Sequence, residues 1–409
     1  MINNATMLFS SATSTTGSKS SVSEQLIKVL TNQTLWGAIL ASILIIALGY
    51  ILVKMKWFKL EWKGAITAVV MKVGLPALAL KGFMAKNSLV DLQQQAIVLG
   101  IAFAFYIVLL AVAILWVKYM PRLLPKTVVN ATGDSLMGQV SGMSQEDVDK
   151  KYRPLVLWML IIFGSTTFFG MPIINQLYKN GGLLAANMWN IPYRIFLYSV
   201  CFMQIKGLKL DKANIKQSMK TTFLNPIIIA TLLGLVLWLT QLIPGASWKQ
   251  GPAGKEVMVG WFQLGTTAPW IYKTVDVLSA LCSPLIWIVI GMTLAGTKLK
   301  DAFTDKWAWI YSAMKLILLP AFIFAIFAIL LKTNALPTDV KSPEMPKNIA
   351  IAMVIFAATP PATVAVAFCL GENKCSNLAA RCSAISTLCA VVMIPVWVIL
   401  CEVVFGLLI

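Results

Sequence analysis

The stretch Ala357-Ala358-Thr359-Pro360-Pro361-Ala362-Thr363-Val364-Ala365-Val366-Ala367-Phe368-Cys369 decides how this chain reads. It lies inside an apolar run from about Ile349 to Leu370, long enough to cross a bilayer. Two adjacent prolines, Pro360 and Pro361, fall near the middle of that run. A proline inside a helix removes a backbone donor and clashes with the preceding turn, so two in a row predict a break. In hydrocarbon an unpaired peptide group costs several kcal/mol, so broken backbone persists only inside protein or beside water. A helix broken at membrane mid-depth is therefore a candidate binding site.

Composition places the whole chain in a membrane. Of its 409 residues 58% are hydrophobic and 12% charged, against about 25% charged in soluble domains. The net charge of +18 comes from cations clustered between apolar runs, which marks loop anchors and not nucleic-acid binding. Histidine is absent, which removes the usual proton shuttle and the commonest metal ligand. The seven cysteines form no CxxC pair. Cys375, Cys382 and Cys389 fall on one helical stripe as small packing residues. With no metal-spaced ligands and no buried acid pair, the expectation is no enzyme and no cofactor.

Residues 1–33 are rich in Ser, Thr and Asn and carry no apolar core. They read as a disordered leader and not as a signal peptide. A spanning helix needs roughly 20 apolar residues. That rule places ten spans, at about 34–54, 64–83, 95–117, 155–178, 183–205, 223–243, 274–296, 307–331, 347–370 and 376–408. Counting Lys and Arg gives 19 in the odd-numbered loops against 11 in the termini and even-numbered loops. The positive-inside rule then puts the odd loops in the cytoplasm and both termini outside. The loop at about 118–154 reads as solvated.

The fold class expected is all-α integral membrane, with ten transmembrane helices in two inverted five-helix repeats and proline-broken crossover helices. Pro76 and Pro172 interrupt spans two and four of residues 34–222. Pro284 and Pro360 interrupt the matching spans of residues 223–409. Five spans per half is odd, so the halves face opposite ways. Two broken helices crossing at mid-depth bring half-helix ends together, and the N-terminal ends suit an anion.

The candidate binding residues follow from this geometry. Ser165, Thr166, Thr167, Gly170 and Pro172 surround one break. Thr359, Pro360, Pro361 and Thr363 surround the other. Asn187 and Asn190 in span five offer amides, either to the site or to neighbouring helices. Lys72, Arg194, Lys315 and Arg381 are the cations inside spans, where charge is costly and favours an anionic guest or a snorkelling route to headgroups. Lys72 and Lys315, deeper in their spans than Arg381, join the candidate set.

Gly170-Met171-Pro172-Ile173 at the end of span four and Ala358-Thr359-Pro360-Pro361-Ala362 in span nine resemble the auxin efflux carrier family. The likeness, over about residues 34 to 409, is to its bacterial branch of malate and malonate permeases. That resemblance implies a mobile transport domain of spans three to five and eight to ten, on a scaffold of spans one, two, six and seven. It also implies substrate binding beside Pro172, Pro360 and Pro361. This chain departs from the family in carrying Gly164-Ser165-Thr166-Thr167 where Asn often precedes the glycine-proline, and it lacks the long central loop of plant members. The function expected is a secondary transporter (permease or efflux carrier) of the plasma membrane. It would move a small organic anion such as a carboxylate by alternating access. The alternatives are a sodium-coupled symporter like the bile acid carriers, and a channel. The partners expected are the substrate anion and the lipid bilayer, with a coupling proton or sodium ion and a homodimer left open.

Overall fold

A computed structural model describes residues 22–84, 89–119, 144–208, 216, 219–220, 222–241, 243, 247–250, 257–260, 263–297, 299–338 and 343–408. The chain begins there with α1 (Val22–Leu30), α2 (Gln33–Lys54), α3 (Trp62–Phe83) and α4 (Leu89–Tyr119). Next come α5 (Gln145–Ile162), α6 (Met171–Leu177), α7 (Lys179–Phe196), α8 (Phe202–Lys206) and α9 (Pro226–Thr240). A short antiparallel hairpin follows, β1 (Ser247–Gln250) against β2 (Val257–Gly260). The remainder is α10 (Leu264–Thr267), α11 (Pro269–Gly296), α12 (Leu299–Phe303), α13 (Lys306–Lys332), α14 (Met345–Ala357), α15 (Thr363–Gly371) and α16 (Ser376–Leu408). Apart from the hairpin, the described residues are helical or loop. Six helices are long and apolar enough to cross a membrane: those at residues 35–54, 62–83, 89–117, 269–296, 306–332 and 376–408.

Local sequence chemistry sets many of these boundaries. The Asn32 side chain caps α2 by accepting from the Leu35 amide at 3.1 Å. Asn225 caps α9, accepting from Ile227 N at 3.0 Å with Pro226 at the first helical position. Asp305 caps α13 through Trp307 N at 2.9 Å. Each satisfies an amide that a helix start leaves orphaned, and proline there costs no hydrogen bond.

Two expectations change. The leader is not unstructured through residue 33. Residues 1–21 lie outside the described residues, but Val22–Leu30 is a helix packed on α16. Its apolar residues are Val22, Leu26, Ile27, Val29 and Leu30, of which Val29 is buried. The loop at 118–154 ends early as well. Ser144 caps α5 by accepting from the Asp147 amide, so only residues 120–143 of it lie outside the described residues.

Both predicted breaks exist, and they meet. α5 stops at Ile162, and a π turn (Thr166–Gly170) leads into α6. α14 stops at Ala357, and α15 begins at Thr363. Between them, Gly164 and Pro361 form an antiparallel bridge. The Ser165 amide donates to Pro360 O at 2.6 Å, and the Ala362 amide to Phe163 O at 2.8 Å. Each break thus supplies the hydrogen-bond partner that the other lost. The prolines of the other two spans interrupt much less. Pro76 follows a π turn (Val70–Gly74) inside α3, and Pro284 follows a one-residue hitch at Leu281 inside α11.

Several carbonyls near the end of α5 find partners. Met159 O accepts from the Phe163 amide at 3.0 Å. Leu160 O accepts from Tyr311 Oη at 3.0 Å, and Ile161 O from Lys315 Nζ at 2.9 Å. Gly164 O accepts from Tyr193 Oη at 2.8 Å. An unsatisfied buried carbonyl costs about 1–3 kcal/mol, so α7 and α13 pin the break by side chains chosen for it.

Away from the crossover, α2 packs on α11, and α3 packs on α9 and α11. The α2–α11 contact is very close. A Cβ on Gly291 would collide with the Ile46 carbonyl, and one on Gly49 with the Ile288 carbonyl. Small residues let backbones approach in this way in lipid. Lys81 on α3 pairs with Asp276 on α11 at 2.8 Å. Arg381, expected to snorkel, instead pairs with Asp305 at 3.0 Å.

Two outcomes follow. Gly291→Val should lower stability by about 1–3 kcal/mol, read as a fall in melting temperature in detergent. Gly37→Ala, with nothing within 4 Å of the added Cβ, should not lower it. Tyr311→Phe should cost about 1–3 kcal/mol by orphaning Leu160 O. A melting curve identical to that of the unmutated protein would show that water can replace the phenol.

Candidate functional site

The crossover has two chemically opposite faces. On one, the C-terminal ends of α5 and α14 converge. On the other, the π turn before α6 and the first turn of α15 begin. Neither start has a side-chain cap, so their first amides are the orphan donors every helix start carries. A cleft opens against this second face. Ser165, Thr167 and Phe168 line it from the first break, and Ala362, Thr363 and Val364 from the second. Tyr193, Arg194, Leu197 and Tyr198 line it from the α7 side. Met71 of α3, with Asn225 and Ile227 at the start of α9, close it. Both positive half-helix ends therefore face one space.

Arg194 dominates the electrostatics there. It is 3% exposed. Its Nη1 donates to Thr231 Oγ1 at 2.6 Å, and its Nη2 lies 3.9 Å from Met171 Sδ. Thr231 passes its own proton on to Ile227 O at 2.7 Å. No carboxylate pairs with Arg194 among the described residues. A guanidinium carries five N–H donors, so most of its capacity is unspent in these contacts. Taking one ion out of water costs several kcal/mol after relaxation. An anion about 4 Å away would return roughly 4 kcal/mol at the effective dielectric of a protein. The free space in the cleft, about 20 Å³, holds about one water.

The predicted residues divide into groups. Ser165, Thr167 and Thr363 line the cleft. Pro360 and Pro361 make the backbone bridge to Ser165 and Gly164 and lie outside the cleft lining. Thr166 turns away, its hydroxyl donating to Asn190 Oδ1 at 2.7 Å. Thr359 caps its own helix, donating to Phe356 O at 2.7 Å. Gly170 serves packing, since a Cβ there would strike the Phe356 ring. Pro172 sits buried in the first turn of α6. Asn187 donates to Ala79 O at 2.9 Å, tying α7 to α3. Asn187 and Asn190 both lie outside the cleft lining. Lys72 departs furthest from expectation. It is exposed, and Met71 beside it faces the cleft instead. One residue along a helix turns about 100°, so adjacent residues cannot share a face. Lys315 does reach the crossover, but on the C-terminal face, where it is 1% exposed.

Among the cleft residues, Tyr193, Tyr198 and Asn225 carry no sequence signal that separates them from packing residues. Arg194 does carry one, as a charge deep in a span that also holds Asn187, Asn190 and Pro192.

A family model described as a membrane transport protein matches residues 149–398. That match covers both breaks, the α7 cation and Lys315, and is shorter than the resemblance read from residues 34 to 409. No curated protein matches the chain. The match spans more than half of the sequence, and the chain belongs to this family of membrane transport proteins, the auxin efflux carrier family.

Proposed function

We propose that the protein is a secondary transporter for a small organic anion, with a carboxylate as the substrate class, and that it works by alternating access. One observation carries this reading. A buried guanidinium that no carboxylate pairs with among the described residues faces the same cleft as two helix N-termini. Ser165, Thr167 and Thr363 add hydroxyls at the rim, and such an arrangement suits a carboxylate's two oxygens.

The reading includes ten spans in two inverted halves. Six are continuous helices. The other four are α5 with α6, α7 with α8, α9, and α14 with α15. The packing supports this pairing. Under a twofold axis relating spans one and six and spans two and seven, the contact of α2 with α11 maps onto that of α9 with α3. Both contacts are present. These four helices form the scaffold, and α4 to α8 with α13 to α16 form the moving part. The lysine-rich odd loops set the orientation, with both termini outside a cell membrane.

The test is counterflow of carboxylates, malate first, in proteoliposomes. Arg194→Gln should raise the half-saturating concentration at least about tenfold, the factor for a lost charge-assisted bond of roughly 1.5–3 kcal/mol. Ser165→Ala and Thr363→Val should each cost about 0.5–1.5 kcal/mol of binding. Saturable counterflow of a cation or a neutral solute, with no carboxylate transported, would overturn the reading.

A further inference from the structure

The C-terminal face of the crossover holds a cation of its own. α5 and α14 end there, and each helix C-terminus carries about −0.5 elementary charge. Together they place about one negative charge in the buried centre of the protein. Broken-helix carriers commonly use such carbonyl ends to hold a coupling ion. Here Lys315 arrives from the π turn Met314–Leu318 inside α13. Its Nζ donates to Ile161 O at 2.9 Å. A Cβ on Gly164 would lie 2.8 Å from that Nζ and collide with Thr359 Oγ1. The ammonium therefore sits in the angle between the two breaks, against Gly164 and beside the Thr359 hydroxyl. No acid pairs with it among the described residues.

We propose that Lys315 is a tethered cation standing where a coupling sodium ion would bind, so the protein transports without sodium. This deepens the anion-carrier reading and rests on it. The charge count supports it, since one ammonium balances two half-helix ends and a second cation beside it would be repelled. The extra residue of the π turn turns Lys315 inward, and the missing side chain of Gly164 makes its room. Lys315 acts on the crossover and not on the cleft, so it is a positioning residue.

The test has two readouts, one independent of the substrate. The first is the melting temperature of purified protein in choline, sodium or ethylammonium buffers. The unmutated protein should melt alike in all three. Lys315→Ala should melt lower in choline and recover in ethylammonium or sodium, which refill the vacated place. The second is malate counterflow. Lys315→Ala should lose about tenfold in rate in choline, regained with the small cation, while Lys315→Arg stays sodium-independent. Specific stabilisation of the unmutated protein by sodium, or a sodium-dependent flux through it, would overturn the proposal. So would a Lys315→Ala protein that melts and transports normally in choline, or one that no cation restores. Where Lys315→Ala fails to fold, the unmutated protein and Lys315→Arg still decide the question. If no carboxylate is transported at all, the anion reading fails, while the melting comparison still tests the cation.

Discussion

Every peptide group inside the lipid must find a partner within the protein, and here two interrupted helices find theirs in each other. The exchange between residues 163–165 and 360–362 comprises two backbone bonds, at 2.6 and 2.8 Å. Neither break is tolerable alone in hydrocarbon, where each orphan group would cost several kcal/mol. Together they close most of the deficit. Tyr193, Tyr311 and Lys315 satisfy three further carbonyls, those of Gly164, Leu160 and Ile161. The positions of α7 and α13 follow from that need as much as from apolar packing.

The same exchange creates the polarity of the site. Crossing two broken helices forces two C-terminal ends to one side and two N-terminal starts to the other. Each side then demands the opposite charge. The C-terminal side has its cation built in, as Lys315. On the N-terminal side no carboxylate is paired among the described residues. That side has Arg194 instead, which makes it still more positive.

Some of this was legible in the sequence, for reasons that can be named. Pro360 and Pro361 announce the second break because proline has no N–H to give. The first break was located correctly by segment but by the wrong residue. Pro172 lies in the first turn of α6, where proline is harmless. The chain parts at Phe163–Ser165, where nothing local forbids a helix. What opens it is pairing with Pro361 and the absence of a side chain on Gly164. Those are tertiary causes, and periodicity cannot show them. The π turns at Val70–Gly74 and Met314–Leu318 were equally hidden. Each rotates the lysine it contains. One leaves Lys72 outside and the other carries Lys315 to the centre, although both look alike as single charges in apolar runs. The amides of Asn187 and Asn190 could line a site or bridge helices, and packing chose the bridge.

The cleft also lies across a seam. Met71, Asn225 and Ile227 belong to the packed set of α2, α3, α9 and α11, while the rest of the lining belongs to the crossover and α7. The polar ties across that seam include Arg194 to Thr231 at 2.6 Å and Asn187 to Ala79 at 2.9 Å. The crossover's own bonds lie wholly on one side of it. An anion entering the cleft would draw on the guanidinium that Thr231 now holds. Binding and docking would then compete for one side chain. Such a contact is worth roughly 1.5–3 kcal/mol when one partner is charged, comparable to the few kcal/mol that separate two conformations of a protein. Motion along the seam would leave the paired breaks intact, because no bond of the crossover has to open.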